Sequence, residues 1–209
     1  MILRPHEEVA ERVLLPGDPG RALRLAQQLL DTPKMLNHHR GLWGYTGTAA
    51  DGAPMTIQST GLGGPSTALV VEELIGLGAR RLVRAGTCTA LVDAEPGSLV
   101  IAESVLSHDG ASRALGANGV LAPDPALYAA LRAAGNGALL GPVVSADVMG
   151  GRWPDAVALD LSTAAVFAVA ARHDAAAACV LAVTDASIGP EALERAEAVL
   201  GRVAAAAVS

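Results

Sequence analysis

Three short segments, Gly17-Asp18-Pro19-Gly20-Arg21, Gly61-Leu62-Gly63-Gly64 and Arg84-Ala85-Gly86-Thr87, combine the residue types that hold an anion. Glycine lets main-chain N–H groups come close to a ligand, arginine adds a planar fork of donors, and threonine adds a hydroxyl. Together they suit a phosphate. Any one of them is ordinary turn chemistry, and it is the joint occurrence that points to a site. The spacing matches neither the GxGxxG of dinucleotide-binding folds nor the GxxxxGK[ST] phosphate loop.

Each segment follows an apolar run, and the runs predict the elements that must position it. Val13 to Leu15 reads as a strand stopped by Pro16-Gly17-Asp18; Asp18-Pro19 then supplies an N-cap and a first-turn proline for a helix to about Leu30, with Leu23, Ala26, Leu29 and Leu30 on one face. Leu42 to Ala49 and Ala53 to Ser59 flank Asp51-Gly52, a hairpin signal. Pro65-Ser66 opens a helix that turns Ala68, Val71, Leu74 and Ile75 toward the core. Arg81 to Ala85, Ser98 to Leu106, Leu139 to Ser145 and Cys179 to Thr184 read as buried strands, and Asp124 to Ala134, Leu161 to Arg172 and Pro190 to Val208 as helices. This alternation predicts a three-layer α/β/α fold with a central mixed, largely parallel twisted sheet, in a single domain over residues 1–209. In such sheets ligands bind where strands end and helix N-termini gather, so the three segments are expected to meet there.

Composition narrows the function classes. A chain of 209 residues, 51% hydrophobic, suffices for one sizeable core, and with aromatics at only 2% that core must be packed by small aliphatic side chains. A formal net charge of -6 offers no broad basic surface, which argues against nucleic acid as a partner. Cys88 and Cys179 have no His or Cys at ligand spacing around them, so no structural metal is expected, and two buried thiols in a reducing compartment are. No export signal is read in MILRPHEEVAERVLLPGD, and the alanine-rich stretch from Ala164 is broken by Arg172, His173 and Asp174 before reaching the roughly 20 apolar residues of a membrane span. A cytoplasmic protein with no membrane partner is the expectation.

Taken in order, LLPGDPGRA (Leu14 to Ala22), HRGLWGYTGT (His39 to Thr48), STGLGGPST (Ser59 to Thr67) and RAGTCTA (Arg84 to Ala90) resemble the motifs of the hexameric purine nucleoside and uridine phosphorylases. The resemblance spans nearly the whole chain, from Pro5-His6 to the last helix. It implies a phosphorylase-like fold and an enzyme, a pentosyltransferase, that cleaves the N-glycosidic bond of a nucleoside with inorganic phosphate to give ribose 1-phosphate and free base. No cofactor is implied, phosphate being the co-substrate. By the resemblance, Gly17, Arg21, Arg84 and Thr87 bind phosphate within a subunit. Arg40 matches an arginine lent by the neighbouring subunit, and His6 a borrowed histidine near the ribose 5′-hydroxyl. A homo-oligomer follows, with a dimer as the minimal unit and a hexamer expected.

At the base end, Val183-Thr184-Asp185 resembles the purine phosphorylase segment whose aspartate protonates purine N7 as the bond breaks. Such a role needs a carboxyl with a raised pKa, and Arg195 is its candidate partner. Asp185 as a plain N-cap for the last helix is the competing reading. In Leu159-Asp160-Leu161-Ser162-Thr163-Ala164, Leu161 and Ser162 stand where the family has a methionine and a glutamate that contact the ribose, and a serine has neither the charge nor the reach of that carboxylate. Asp160 is the acid nearest to take over. The family's stacking aromatic is absent after Ser145-Ala146-Asp147, with Trp153 as an alternative or a mere packing anchor. STGLGGPS and His108-Asp109-Gly110-Ala111-Ser112 look closer to the uridine enzymes, whose glutamine and arginine pair is represented only by Arg152. Asp185 favours a purine nucleoside as substrate, with uridine as runner-up. A nucleosidase, and a non-catalytic relative that kept the phosphate pocket, are the remaining readings.

Overall fold

A computed structural model describes residues 1–209 in full. The central strand, β1 (Arg12–Leu15), is buried at every position and lies parallel between β4 (Pro54–Gln58) and β5 (Arg81–Ala90). Its side chains alternate between two cores, as a strand's must. Val13 and Leu15 face one layer with Val70, Val71, Leu74, Phe167 and Val169, while Leu14 faces another with Ala22, Leu25, Leu127, Leu131, Leu200 and Val203. Helices α2 (Gly63–Gly76) and α5 (Thr163–Arg172) therefore cover one side of the sheet, and α1 (Pro19–Leu29), α4 (Pro125–Ala134) and α6 (Pro190–Val208) cover the other. Small residues let these layers approach: a Cβ on Gly201 would come within 2.4 Å of Leu25 Cδ2, so α6 sits on α1 at a distance only glycine permits.

The sheet is mixed and has helices on both faces. On one flank of β1, β4 pairs antiparallel with β3 (Gly44–Ala49) and β3 with β2 (Leu30–Asn37), an edge strand that tolerates Pro33. On the other flank the sheet closes on itself. Strand β5 runs parallel to β10 (Ala176–Val183), β10 antiparallel to β6 (Leu99–His108), β6 parallel to β8 (Leu139–Ala146) and β8 parallel to β9 (Ala158–Asp160), which returns antiparallel to β5. A small closed ring of strands thus stands inside the larger sheet, and antiparallel pairings are as numerous as parallel ones.

Several boundaries differ from those read in the sequence. The expected turn Arg84-Ala85-Gly86-Thr87 is not a turn: β5 continues through it, paired to β10 as far as Cys88 opposite Val183 and then to β9 at Thr89 and Ala90. Glycine punctuates a chain only when no neighbour holds its backbone, and here partners stand on both sides. The buried face of α1 is Arg21, Ala22, Leu25 and Ala26, with Leu23 and Leu29 only half-buried. Strand β10 starts three residues before Cys179, and α2 starts at Gly63, two residues before Pro65. Strands β2 and β9, with β7 (Gly119–Leu121) and α3 (Gly110–Ala114), lie in stretches too short or too polar for periodicity to mark. Both cysteines are buried and unpaired, and no helix is long and apolar enough to cross a membrane.

Candidate active site

Where β1 ends, the chain turns through Pro16-Gly17-Asp18, and the Asp18 carboxylate accepts from the Arg21 N–H at 2.7 Å to cap α1. The turn after β4 is tied to it, since Thr60 N donates to Pro16 O and Gly61 N to Gly17 O. Next door, β5 delivers Arg84, only 5% exposed. Its Nη1 donates to Leu15 O at 3.0 Å, its Nε has no hydrogen-bond partner, and Asp160 Oδ2 lies 3.8 Å from that Nε. Burial lowers the Arg84 pKa and the Asp160 carboxylate opposes that shift; a guanidinium stays charged in either case. A Cβ on Gly86 would sit 2.7 Å from Arg84 Cζ, so Gly86 is the room in which this guanidinium lies.

Arg21, 7% exposed, reaches the same place from α1. Its Nε donates to Glu197 Oε1 of α6 at 2.8 Å, and no protein acceptor meets its terminal nitrogens. Asp160 closes the other side. Its Oδ1 accepts from Ser145 Oγ at 2.5 Å and its Oδ2 from Thr163 Oγ1 at 2.6 Å, with Thr163 N at 3.1 Å from both oxygens. Register explains the meeting: Ser145 on β8 lies opposite Asp160 on β9, and Thr89 on β5 opposite Leu159.

These groups surround one cavity of about 380 Å³, lined by Gly17, Arg21, Arg84, Thr87, Asp160, Leu161 and Ser162 together with Cys88, Leu159, Met149 and Thr184. That volume lies in the range of small-molecule sites. All seven residues expected to contact phosphate or sugar from within the subunit line it. The chemistry it offers is an anion held by two buried guanidiniums, a threonine and a glycine turn, beside a mostly apolar floor. The sugar end carries no free carboxylate, because Asp160 is engaged by protein donors and Ser162 is 2% exposed with its side chain capping nothing.

The base end is arranged otherwise than the sequence suggested. Asp185 is exposed and accepts from Ser187 Oγ at 2.6 Å and Ser187 N at 2.7 Å, bonds that lower its pKa rather than raise it. Arg195, 72% exposed, lies 3.7 Å from Glu191 one turn earlier in α6, so the structure does not bring Asp185 and Arg195 together. The aspartate closes a local turn with its own chain, the competing use common for this residue type; Thr184 is what this segment contributes to the cavity. Trp153 donates to Gly150 O at 2.9 Å and leans on His108, ring centroids 4.7 Å apart, outside the cavity lining.

His6 and Arg40 also lie outside this cavity. His6 stacks on His38, centroids 5.4 Å apart and 10° from parallel, and Arg40 sits exposed in the 3-10 turn His39–Gly41 with φ 60°. One buried side chain holds both segments: Asn37 Oδ1 accepts from Arg4 N at 2.9 Å and Asn37 Nδ2 donates to Leu42 O at 2.5 Å. Glu197, Ser145 and Thr163 were missed in the sequence. Glu197 contacts a residue 176 positions away, and no local pattern marks a contact of that kind.

Fold and site together define an α/β protein with one cavity into which two buried arginines, a threonine and a glycine turn are brought. The model of the phosphorylase superfamily matches residues 11–209, and the chain belongs to that family. It is 33% identical over 203 residues to the purine nucleoside phosphorylase DeoD-type of Caldanaerobacter subterraneus, covering 88% of this chain and 87% of that one. The protein of the same name from Clostridium perfringens is 34% identical over 203 residues, 88% of this chain and 85% of its own. The uridine phosphorylase of Treponema pallidum is 41% identical over 107 residues, 51% of this chain and 41% of its own.

Proposed function

We propose that the protein is a nucleoside phosphorylase acting on purine nucleosides, with inorganic phosphate as co-substrate and ribose 1-phosphate and free base as products. The observation that carries this is the pair of buried arginines, Arg21 and Arg84, each fixed along one edge and each with N–H groups left free in a cavity that also presents Thr87 and the Gly17 turn. A dianion has reason to enter such a place, because charge-assisted bonds to guanidinium N–H groups that no protein acceptor meets are stronger than neutral ones. The phosphate oxygen attacks ribose C1′ as the C1′–N bond breaks and the bonding pair leaves with the base. The arginines hold the nucleophile in line, and pre-set charge does the rest.

At the departing base, delivery of a proton to a purine N7 by Asp185 with Arg195 requires Asp185 to give up its bonds to Ser187 and Arg195 to leave Glu191. His6 and Arg40, facing away from their own cavity, serve the neighbouring subunit's, which makes the dimer the working unit within a larger homo-oligomer, a hexamer in this reading. The setting is the cytoplasm. The 41% identity over 107 residues to a uridine phosphorylase favours uridine as the second reading.

The test is release of base from inosine, adenosine, guanosine and uridine, each with and without phosphate. Phosphate-dependent turnover of a purine nucleoside is expected. Turnover of uridine alone would move the substrate to the second reading, equal turnover without phosphate would make the protein a nucleosidase, and binding without turnover on any of the four would leave a non-catalytic relative.

A further inference from the structure

We infer that Glu197 is a positioning residue that sets the phosphate affinity of the cavity by holding Arg21; this deepens the phosphorylase reading and rests on it. Glu197 is 2% exposed, the one charged side chain on a buried helix face otherwise built of Ala196, Leu200, Gly201, Val203 and Ala204. Its two oxygens are divided between two arginines of α1. Oε1 takes Arg21 Nε at 2.8 Å, and Oε2 takes Arg24 Nε at 3.0 Å and Nη2 at 2.5 Å.

The two arginines have different tasks. Arg24, its side chain 43% exposed, needs no partner to stay charged, while Arg21, 8% exposed, shares a buried pocket with Arg84. Two guanidiniums in one low-dielectric pocket repel, and the Arg84 pKa is lowered in part by Arg21. A carboxylate behind Arg21 offsets that repulsion. It also grips the Nε edge of a long, rotamer-rich side chain, so that the terminal nitrogens are left pointing at the cavity rather than searching for an acceptor. A mere contact between α1 and α6 would be served as well by an apolar residue, since a buried ion pair is often no better for stability than its apolar replacement. The pair makes sense as a device for holding Arg21 in one place.

The experiment measures inorganic phosphate binding by calorimetry, and phosphate and nucleoside KM, for wild type, Glu197→Gln, Arg21→Ala and the double variant. Glu197→Gln is expected to weaken phosphate binding at least about fivefold, to raise the phosphate KM in step and to leave the nucleoside KM alone. In the Arg21→Ala background the same change should add less than about twofold, because the two residues act as one unit. Unchanged phosphate affinity in Glu197→Gln, or losses that simply multiply in the double variant, would overturn the inference while leaving the phosphorylase reading intact. Failure of the wild type to bind phosphate would overturn both. Should Glu197→Gln not fold, Glu197→Asp and Arg24→Ala decide: the shortened acid must weaken phosphate and the loss of Arg24 must not, and the reverse order sinks the proposal.

Discussion

The Nε of Arg84 and the Oδ2 of Asp160 face each other at 3.8 Å with both side chains almost wholly buried, and that Nε has no other partner. The pair lies too far apart for a hydrogen bond yet near enough for each charge to compensate the other. Asp160 therefore reads as the counter-charge of Arg84, although its place in the sequence made it a candidate for the sugar.

Replacing Asp160 by asparagine strands the Arg84 charge and keeps only one of the two acceptor oxygens that serve Ser145 and Thr163. Breaking a buried pair by removing one partner costs about 3–5 kcal/mol, and a loss of that order is expected in denaturant unfolding. A variant as stable as wild type would mean that Arg84 finds its compensation elsewhere.

Gly86→Ala tests the room given to the same guanidinium. The new Cβ would stand 2.7 Å from Arg84 Cζ and must displace it. We expect phosphate affinity to fall about tenfold or more, as charge-assisted bonds worth roughly 1.5–3 kcal/mol are lost. The measurement is phosphate calorimetry on protein whose circular dichroism is unchanged.

Ser162→Glu restores a carboxylate at the sugar end. Ser162 lines the cavity and its side chain caps nothing, so the substitution gives up no capping bond. A charge-assisted bond to a ribose hydroxyl contributes roughly 1.5–3 kcal/mol, about tenfold or more in nucleoside affinity. Should phosphorolysis of inosine and uridine fall instead, the site has been rebuilt around the smaller residue.

The last prediction concerns pH. In the free protein the Ser187 hydroxyl and then its backbone amide hold the Asp185 pKa below its ordinary value of 3.8. A depressed carboxylate pKa stabilises the fold above the unfolded-state value, and that contribution disappears as pH falls through the folded-state pKa. Ser187→Ala removes the larger cause, so the Asp185 pKa should rise toward 3.8 in an NMR titration. The same change frees Asp185 for the base, and because a proton donor must be protonated to act, the limb of the purine phosphorolysis pH–rate profile that falls as pH rises should move to higher pH with it. A profile that stays put would separate Asp185 from the proton transfer.

Much of the anion end of the site was legible in the chain. Asp18-Pro19 marked the start of α1 and the glycines marked the turns, because capping and turn chemistry act over three or four residues and leave their signature in the local sequence. Even the misread turn at Gly86 pointed to the right residues, since a glycine needed for close approach and a glycine needed for a turn look alike when the neighbours are unseen. The resemblance to a family then assigned Gly17, Arg21, Arg84 and Thr87 a common ligand, and the structure brings all four to one cavity.

What the tertiary structure decided is how each charge is partnered. Nothing near Asp160 in the chain says that β8 and β9 will set Ser145 beside it, and nothing near Arg21 points to Glu197 on the last helix. Nor does Asp185 reveal in sequence that it will bond Ser187 and leave Arg195 to Glu191. Local propensity is a property of a few successive residues, whereas the position of a carboxylate relative to a guanidinium depends on strand register and helix packing between segments far apart in the chain. The residue types and turn signals thus belonged to the sequence alone. The closure of β9 onto β5, which seats Asp160 behind Arg84, arose only when the sheet closed on itself.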